Sequence, residues 1–362
     1  MAARETEQAA GDPREARELL VHLVFGHMAA RTVRAAVEFG VVDIIGTDGE
    51  VTAREIAERC GTLPQPTHRL LRALAGLGLL TETRPGSFTV TPAGALLSEK
   101  DEDSFGAFVR MFLDPAMLRA WDQLDESVRT GQTAFDSVFG IDFFSYLDRH
   151  PDLSARFNSA MSQGTRAITA ALPSRYDFAR FTTVIDIGGG DGTLLSAVLK
   201  GTPGLRGVVY DTAGGLAQAR TTFEREGVAD RATTAVGDFF TAAPPGGDLY
   251  LIKSVLHDWS DEQCAGILSH IREAIPDEGR LLIVEPVLPA TAEAQGAGVP
   301  YLSDLNMLVN VGGRERTRED FTELCRTAGF AVSSFTPIGP DGGYCAIEAV
   351  PAPGGIPGDQ TL

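Results

Sequence analysis

The feature that most constrains the fold is a glycine-rich segment between a strand-like run and a helix-like run. The segment VIDIGGGDGT, residues 184–193, begins with apolar residues and continues into the helical pattern LLSAVLK. Glycines at such a turn let the backbone approach a ligand closely. Strand-length and helix-length runs alternate from residue 181 onward, which predicts a mainly parallel α/β sheet of the Rossmann type.

The strands of this sheet are predicted from their short apolar runs, at 183–187, 207–210, 232–236, 248–253 and 280–285. Two later runs, AVSSFTPI and GYCAIEAV, are separated by a turn rich in glycine, proline and aspartate. They predict an antiparallel hairpin that closes the sheet.

The glycine turn differs from a dinucleotide-binding fingerprint. Gly188 and Gly190 fit that pattern, but Thr193 stands where a third glycine is required. Asp186 precedes the glycines, where a carboxylate disfavours a pyrophosphate and favours a cationic amino-acid group. S-adenosylmethionine carries an ammonium and a sulfonium and no phosphate, so it fits this site better than NAD does.

Acidic residues also end the next two predicted strands. Asp211 ends the second, where a carboxylate can accept hydrogen bonds from ribose hydroxyls. A helix-capping role for Asp211 is the structural alternative. The third strand ends in Gly237-Asp238-Phe239-Phe240, which offers a carboxylate for an adenine amino group and an apolar cover for the ring. These groups lie at the edge where such sheets bind ligands.

The fourth predicted strand leads into LIKSVLHDWS, residues 251–260, which places His257 at the same edge. A lone histidine is more often structural, but this position favours a catalytic one. A neutral imidazole can take the proton of an attacking hydroxyl. Glu285 and Glu315 are candidates to orient it. The sequence shows neither a Ser-His-Asp nor a Cys-His set, and no clustered metal ligands, so we expect no metal.

The N-terminal half is predicted to be helical. Residues 19–39 have apolar residues at helical spacing, Thr52 and Glu55 predict a capping box, and TETRPGSFTVTPAG predicts a short hairpin. Helix, turn, helix and hairpin suggest a winged-helix-like unit, which is compatible with a DNA-binding regulator. However, the net charge is −18, and the candidate recognition helix has only a small basic patch, His68, Arg69 and Arg72. Nucleic acid and membrane surfaces are therefore poor partners.

The motifs VIDIGGGDG, GDFF, LIKSVLHDWSDEQC, GRLLIVEPVLP and GGRERT occur in this order and closely resemble those of the caffeate-type S-adenosylmethionine-dependent small-molecule O-methyltransferases. Within that family, the sequence most resembles the bacterial natural-product branch. The resemblance implies a methyl donor, no metal, and a hydroxyl of a small aromatic molecule as acceptor. It also implies a homodimer formed through the N-terminal domain, with residues 19–39 packed against the other subunit; intramolecular packing would explain their apolar character as well.

The resemblance also assigns site residues. The base would be His257, flanked by Glu285 and Glu315. The donor-binding residues would be Gly188, Asp211, Gly237, Asp238, Phe239, Lys253 and Ser254. The residues lining the acceptor pocket would be Trp121, Met161, Met307 and Asn310. Family members that bind the donor without transferring methyl lack this histidine, so His257 favours methyl transfer; N- or C-methylation stays an alternative.

The predicted organisation has five parts. These are a disordered tail (1–14), a winged-helix-like dimerisation domain (15–100), a helical region that lines the substrate (101–172), the methyltransferase domain (173–350) and a second disordered tail (351–362). Most aromatic residues of the helical region are expected to be core. Residues 289–300 are expected to form a variable lid or loop. With no signal peptide and no long apolar run, a cytoplasmic location is expected.

Overall fold

The computed structural model describes residues 13–101, 103–164, 166–292, 298–338 and 343–353. The chain divides into two compact units, Met1–Asp114 and Pro115–Leu362. The five-part division stays a prediction, and its two tails lie mostly outside the described residues. Within the described ranges, no helix has both the length and the apolar character needed to cross a membrane.

The first unit is mainly helical, with one small antiparallel sheet in the order β1-β3-β2. Its elements are α1 (Pro13–Glu38), α2 (Val41–Ile45), β1 (Val51–Thr52), α3 (Ala53–Cys60), α4 (Pro64–Gly76), β2 (Leu80–Arg84), β3 (Ser87–Val90), α5 (Pro92–Ala95) and α6 (Gly106–Phe112). The predicted hairpin is β2–β3. Ile56, Leu71 and Phe88 are fully buried in its core.

Local sequence signals set the helix ends in this unit. Thr52 and Glu55 form the predicted capping box, and Gly61 ends α3 in the left-handed conformation. The helix α1 begins at Pro13, earlier than the predicted residue 19, and α4 begins at Pro64. Proline is favoured in the first turn, because its missing N–H would have had no partner there.

The second unit begins with six helices, α7 (Pro115–Trp121), α8 (Leu124–Thr130), α9 (Ala134–Phe139), α10 (Phe143–Arg149), α11 (Pro151–Gly164) and α12 (Arg166–Arg175). The α/β part follows, with β4 (Thr183–Ile187), α13 (Thr193–Gly201), β5 (Arg206–Asp211), α14 (Ala219–Glu226), β6 (Ala232–Val236), β7 (Leu249–Lys253), α15 (Asp261–Ala274), β8 (Arg280–Leu288), α16 (Val299–Asn310), β9 (Arg316–Thr317), α17 (Arg318–Thr327), β10 (Phe330–Ile338) and β11 (Tyr344–Pro351). The predicted loop at 289–300 lies partly outside the described residues, and its last two residues begin α16.

The large sheet has the order β10-β11-β8-β7-β4-β5-β6, and β9 pairs with β8. The strands β4 to β8 are parallel, and β10 and β11 form the predicted antiparallel closing hairpin. Successive residues of a strand alternate between two cores, as Leu249 and Tyr250 do. Helices cover both faces, so the carboxyl ends of the parallel strands form the edge that is open to ligands.

Candidate active site

The glycine turn after β4 approaches its neighbours too closely for side chains. Gly188 and Gly190 have φ values of 67° and 56°. A Cβ on Gly189 would lie 2.5 Å from Asp186 Oδ2. The backbone N–H of Gly190 donates to Asp211 Oδ2 at 2.9 Å. The turn is thus tied to the end of β5, and its backbone is bare enough to meet a ligand.

Asp186 is buried under this turn with an unsatisfied carboxylate. Its Oδ2 has no hydrogen-bond partner within the described structure. Burial raises the pKa of Asp186 to about 7; Lys253 opposes the shift, and Asp211 and Asp191 add to it. Burial also lowers the pKa of the Lys253 ammonium, against the pull of nearby carboxylates. A buried acceptor without a donor is costly, so this site suits a cationic or N–H-bearing ligand.

The ends of β5 and β6 supply the next group of predicted residues. Asp211 accepts hydrogen bonds from the N–H groups of Gly190 and Thr212, yet burial still raises its pKa. Gly237 donates to the Asp211 carbonyl at 3.0 Å. Asp238 is exposed and accepts from the N–H of Phe240 at 2.8 Å. The structure therefore places Asp211 and Gly237 side by side, with Asp238 following.

Aromatic rings stand beside these groups. The Phe239 ring lies 4.9 Å from that of Phe240 and 6.2 Å from that of Trp259. A Cβ on Gly188 would come within 3.7 Å of Phe239 Cε1. An apolar wall thus borders the glycine turn, as the sequence predicts for a site that takes a flat ring.

Ser254 has an unusual backbone conformation at the end of β7. Its φ is 51°, the one positive φ outside glycine among the described residues. Its N–H donates to the Val284 carbonyl, and its Oγ lies 3.3 Å from the hydroxyl of Tyr344. Such a conformation costs about 1–3 kcal/mol and persists only where surrounding contacts impose it. The strained turn directs the chain from Lys253 towards His257.

His257 lies in a 3-10 turn, Leu256–Asp258, and its imidazole is surrounded by acids. Its Nδ1 is 3.3 Å from Glu315 Oε1 and 3.6 Å from Glu285 Oε2. Its Nε2 is 3.6 Å from Asp258 Oδ1. Glu285 and Glu315 have almost fully buried side chains. The structure thus brings together the three residues that the sequence places in the chemistry.

The two glutamates are themselves held in place. Glu285 Oε1 accepts hydrogen bonds from the N–H groups of Val255 and Leu256, both at 2.9 Å. Glu315 Oε1 accepts from Ser303 Oγ at 2.9 Å, and the Glu315 N–H donates to Asp304 Oδ1. These contacts fix the two glutamates on the Nδ1 side of the ring. On the other side, Asp258 Oδ1 lies 3.6 Å from Nε2, beyond hydrogen-bond distance, so Nε2 stays available to a reactant.

The acids control the charge of the imidazole. Burial disfavours the imidazolium, but Glu285, Asp258 and Glu315 outweigh it and raise the pKa of His257 to about 10. Burial raises the pKa of Asp258 to about 7 and also raises that of Glu285. The protonation states of His257, Asp258 and Glu285 therefore depend on one another.

This set also has the composition of a metal site. His257, Glu285 and Glu315 offer three ligand atoms within 4.8 Å of one another. Metal binding requires a neutral imidazole, whereas these acids favour the imidazolium. The imidazolium itself balances the glutamates, so a metal-free site stays our prediction.

Comparison with known proteins identifies the chain. An O-methyltransferase domain model matches residues 121–331, and an O-methyltransferase dimerisation domain model matches residues 21–100. The chain belongs to the O-methyltransferase family. It is an S-adenosylmethionine-dependent O-methyltransferase, as the motifs predict, and the fold prediction of a helical dimerisation domain joined to a Rossmann-like domain is confirmed. The alternatives of an NAD-binding enzyme and a DNA-binding regulator are thereby set aside.

Individual relatives of this methyltransferase have diverse acceptors. It is 46% identical to an O-demethylpuromycin-O-methyltransferase of Streptomyces alboniger over 93% of this chain and 89% of the other. It is 35% identical to an 8-amino-8-demethylriboflavin N,N-dimethyltransferase of Streptomyces davaonensis, over 81% and 84% of the two chains. The solved structure of NcsB1, with S-adenosylmethionine and 2-hydroxy-5-methyl naphthoic acid, superposes with a TM-score of 0.75 at 33% identity, over 89% and 95% of the chains.

Three of the residues predicted to line the acceptor pocket of this methyltransferase lie on α7 and α16. Trp121 Nε1 donates to Asn306 Oδ1 at 3.0 Å, and Asn310 Nδ2 donates to the same oxygen at 2.9 Å. Met307, between them on α16, is buried. Met161 lies on α11, next to Ser162, whose hydroxyl donates to Asp191 of the glycine turn at 2.7 Å. The pocket-lining role of all four stays a prediction.

Two residues that contact the predicted site residues were not predicted from the sequence. Asp258 touches the imidazole of His257, and Asn306 joins Trp121 to Asn310. The signal for Asp258 was its place next to His257 in a short turn. The signal for Asn306 was its position four residues before Asn310, on the same helix face.

Proposed function

We propose that this enzyme transfers the methyl group of S-adenosylmethionine to a hydroxyl of a small aromatic molecule, with His257 as general base. The observation that carries the proposal is the position of His257. It lies at the carboxyl edge of the sheet with Nδ1 against two buried glutamates, so that Nε2 is left for the acceptor.

The residues proposed to hold the donor fit its charge and shape. When bound, it supplies a methyl carbon made electrophilic by a positively charged sulfur. The unsatisfied Asp186 carboxylate suits the ammonium group, and the bare glycine turn suits a closely packed ligand. Asp211 and Asp238 suit hydroxyl and amino donors, and Phe239 suits an adenine face. We assign Gly188, Gly237, Lys253 and Ser254 to the same site.

The protein's own chemistry is proton removal and alignment. As the hydroxyl oxygen attacks, its proton passes to Nε2 of His257. The ring then becomes an imidazolium whose Nδ1–H faces Glu315 and Glu285, which stabilise the positive charge. Because the displacement needs oxygen, carbon and sulfur in line, the pocket must also hold the acceptor at a fixed angle.

An aromatic acceptor is supported by the surroundings of the His257 turn. Phe144 on α10 stacks on Trp259 with ring centroids 5.1 Å apart, and Phe157 on α11 lies 6.2 Å from Phe144. Phe144, Phe157 and Trp259 are only partly buried, whereas Phe135 and Phe143 are core, as expected of most aromatics here. Two of the relatives named above also point to aromatic compounds, since one is an O-demethylpuromycin-O-methyltransferase and the other was solved with 2-hydroxy-5-methyl naphthoic acid.

The first test is turnover. Purified enzyme with S-adenosylmethionine, EDTA and a panel of hydroxylated polyketides, phenazines and simple phenols is expected to form S-adenosylhomocysteine and a methylated hydroxyl, measured by mass spectrometry. Turnover in EDTA would agree with a metal-free site, and turnover only after a divalent metal is restored would contradict it. Failure to bind S-adenosylhomocysteine in calorimetry would overturn the proposal.

Nitrogen methylation is the second candidate, because one relative is named an N,N-dimethyltransferase. A neutral amine attacks with its lone pair and can lose its proton afterwards to water. It therefore depends less on a base than a phenol does. Amino analogues of each phenol in the panel separate the two functions, with the phenol expected to be methylated in preference to the amine.

Replacing Asp186 by asparagine is expected to weaken donor binding and to stabilise the fold. The pKa of Asp186 in the folded protein, about 7, lies above its ordinary value of 3.8, so stability falls as pH rises between these two values, and the full cost remains above pH 7. The neutral amide of the variant would remove that cost, and we expect a higher Tm at pH 8. Loss of a charged hydrogen-bond partner is expected to reduce S-adenosylhomocysteine affinity roughly 10–10²-fold.

The matched control is Asp248→Asn, at the opposite edge of the sheet. Asp248 accepts hydrogen bonds from Thr182 and Thr183. Its substitution is expected to lower the Tm and leave S-adenosylhomocysteine affinity unchanged. Calorimetry and thermal melts measure both quantities. Unchanged ligand affinity in Asp186→Asn would remove Asp186 from the donor site.

A further inference from the structure

The proposed mechanism leaves unused the largest fully buried side chain of the protein's described part, that of Arg316. All three of its guanidinium nitrogens donate hydrogen bonds. Nη1 donates to the Leu256 carbonyl at 2.7 Å, and Nη2 donates to the Trp259 carbonyl at 2.9 Å. Nε and Nη2 both donate to Asp261 Oδ1, at 3.0 and 2.7 Å. Arginine is rarely buried this completely unless it is paired, so these contacts require an explanation.

The two carbonyls lie on either side of His257. Leu256 precedes it by one residue, and Trp259 follows it by two. Both belong to the short 3-10 turn or its cap, where backbone hydrogen bonds are intrinsically weak. The planar guanidinium fork therefore ties together the two ends of the turn that carries the imidazole.

The loop that leads into Arg316, residues 311–315, also packs on the backbone of the His257 turn. A Cβ on Gly313 would overlap the His257 carbonyl oxygen, so only glycine allows this approach. Glu315, which faces the imidazole, directly precedes Arg316, and Arg316 begins β9, paired with Val287 of β8. Adjacent residues of extended backbone point to opposite sides. One loop thus contacts the ring through Glu315 and the turn's carbonyls through Arg316.

An ordinary salt bridge does not explain this arrangement. Among the described residues, the carboxylate that pairs with Arg316 is that of Asp261, whose side chain is 58% exposed, whereas that of Arg316 is 0% exposed. Burying a guanidinium against one exposed acid brings little net stability. Backbone carbonyls compensate the guanidinium for its lost water. The two short contacts are with the His257 turn, at Leu256 and Trp259, and a longer one of 3.4 Å is with Arg314.

We propose that Arg316 is a positioning residue for His257, which fixes the turn so that Nδ1 stays against Glu285 and Glu315 while Nε2 meets the acceptor. The proposal rests on the proposed role of His257 as base. Arg316 touches neither reactant; it acts through the backbone on either side of the catalytic ring.

The test compares Arg316→Met and Arg316→Lys with Arg314→Met. Arg314 also pairs with Asp261, and with Asp320, but its side chain donates to neither carbonyl of the turn. Both Arg316 variants are expected to lose about 10–10²-fold in kcat, the usual cost of a misplacement near 1 Å. Their S-adenosylhomocysteine affinity should be unchanged. Arg314→Met should keep the wild-type kcat.

A second readout separates positioning from general stability. The charged groups that face the imidazole are Glu285, Glu315 and Asp258, with Lys253 near these acids. If the turn shifts away from them, the pKa of His257, followed by NMR of labelled histidine, should fall towards that of a free imidazole in Arg316→Lys. A loss of stability alone would lower the folded fraction and leave this pKa in place.

Three outcomes overturn the proposal: wild-type kcat and an unchanged His257 pKa in both Arg316 variants, an equal loss in Arg314→Met, or unfolding of both Arg316 variants while Arg314→Met stays folded. The last would mean that Arg316 supports the whole domain and not the turn. Because the NMR titration needs no acceptor, absence of methylation by the wild-type enzyme would count against the proposed function and leave this inference to be decided by the titration.

Discussion

Replacement of His257 by alanine is expected to lower kcat for a phenolic acceptor by about 10²–10⁴-fold, the usual contribution of a general base. A phenol has a pKa near 10, so little of it is ionised at neutral pH. Without the imidazole, the attacking oxygen must lose its proton to water. Donor binding should persist, because the proposed donor site is built from β4 to β7 and the glycine turn.

The measurement is steady-state methylation with saturating donor, with His68→Ala as the matched control. His68 also lies beside a carboxylate, Glu82 at 3.5 Å, but belongs to the first unit. Its loss should leave kcat unchanged. Wild-type kcat in His257→Ala, with intact donor affinity, would remove His257 from the chemistry and favour an amine acceptor.

If His257 is the base, the direction in which kcat/KM changes with pH can also be predicted. The acids around His257 raise its pKa to about 10, so the free enzyme holds mostly imidazolium at neutral pH. Only the neutral ring accepts a proton, and kcat/KM for the donor should therefore rise with pH well beyond about 6.5, the ordinary imidazole pKa. Binding of the cationic donor disfavours the imidazolium and so lowers the pKa of His257. At saturating donor, kcat/KM for the acceptor should therefore still rise with pH, but the rise should occur at a lower pH. The His257→Ala variant should lack this rise of kcat/KM with pH.

Short-range signals predicted much of the fold. The strand β4 and the strand β6 have the predicted bounds, and Thr52 with Glu55 forms the predicted cap. Apolar periodicity and capping depend on residues that are close together in the chain, so they can be recognised in a single sequence. The strand β8 instead runs on from its predicted end at Glu285 to Leu288, because Val287 and Leu288 pair with β9. That pairing depends on a distant segment.

The residues of the site were likewise predictable from the sequence only in part. Strand-end positions indicated Asp211, Asp238 and His257 without any knowledge of contacts. The approach of Glu285 and Glu315 to one imidazole nitrogen depends on how β8 and the loop before β9 pack. The sequence offered both as candidates to orient His257, and the family resemblance then placed them beside it. The burial of Arg316 could not be inferred, because charged residues are usually exposed and the carbonyls that hold it belong to the backbone.

Acidic substitutions in α1 are expected to convert a homodimer into monomers. The first half of α1 exposes a set of large apolar side chains, Leu19, Leu20, Val21, Leu23, Val24, Phe25 and Met28, each more than half exposed in the single chain. At about 100° per residue, they cover roughly two thirds of the helix circumference, and Glu18 and His22 lie on the remaining third. An apolar face this wide is normally buried against other elements. The dimerisation-domain match covers most of this stretch, which supports a second copy of the chain as the cover.

The double variant Leu23→Glu, Phe25→Glu tests this expectation. Burial of a Leu or Phe side chain is worth roughly 1.5–3 kcal/mol, and a two-fold interface contains each residue twice, so the change removes roughly 6–12 kcal/mol from the dimer. Light scattering after gel filtration should report twice the chain mass for the wild type and one chain mass for the variant. Val128→Glu, an equally exposed apolar residue of the second unit, should stay dimeric. If the double variant stays dimeric, the subunits associate through another surface, since two buried carboxylates per chain cannot be accommodated in an apolar helix interface.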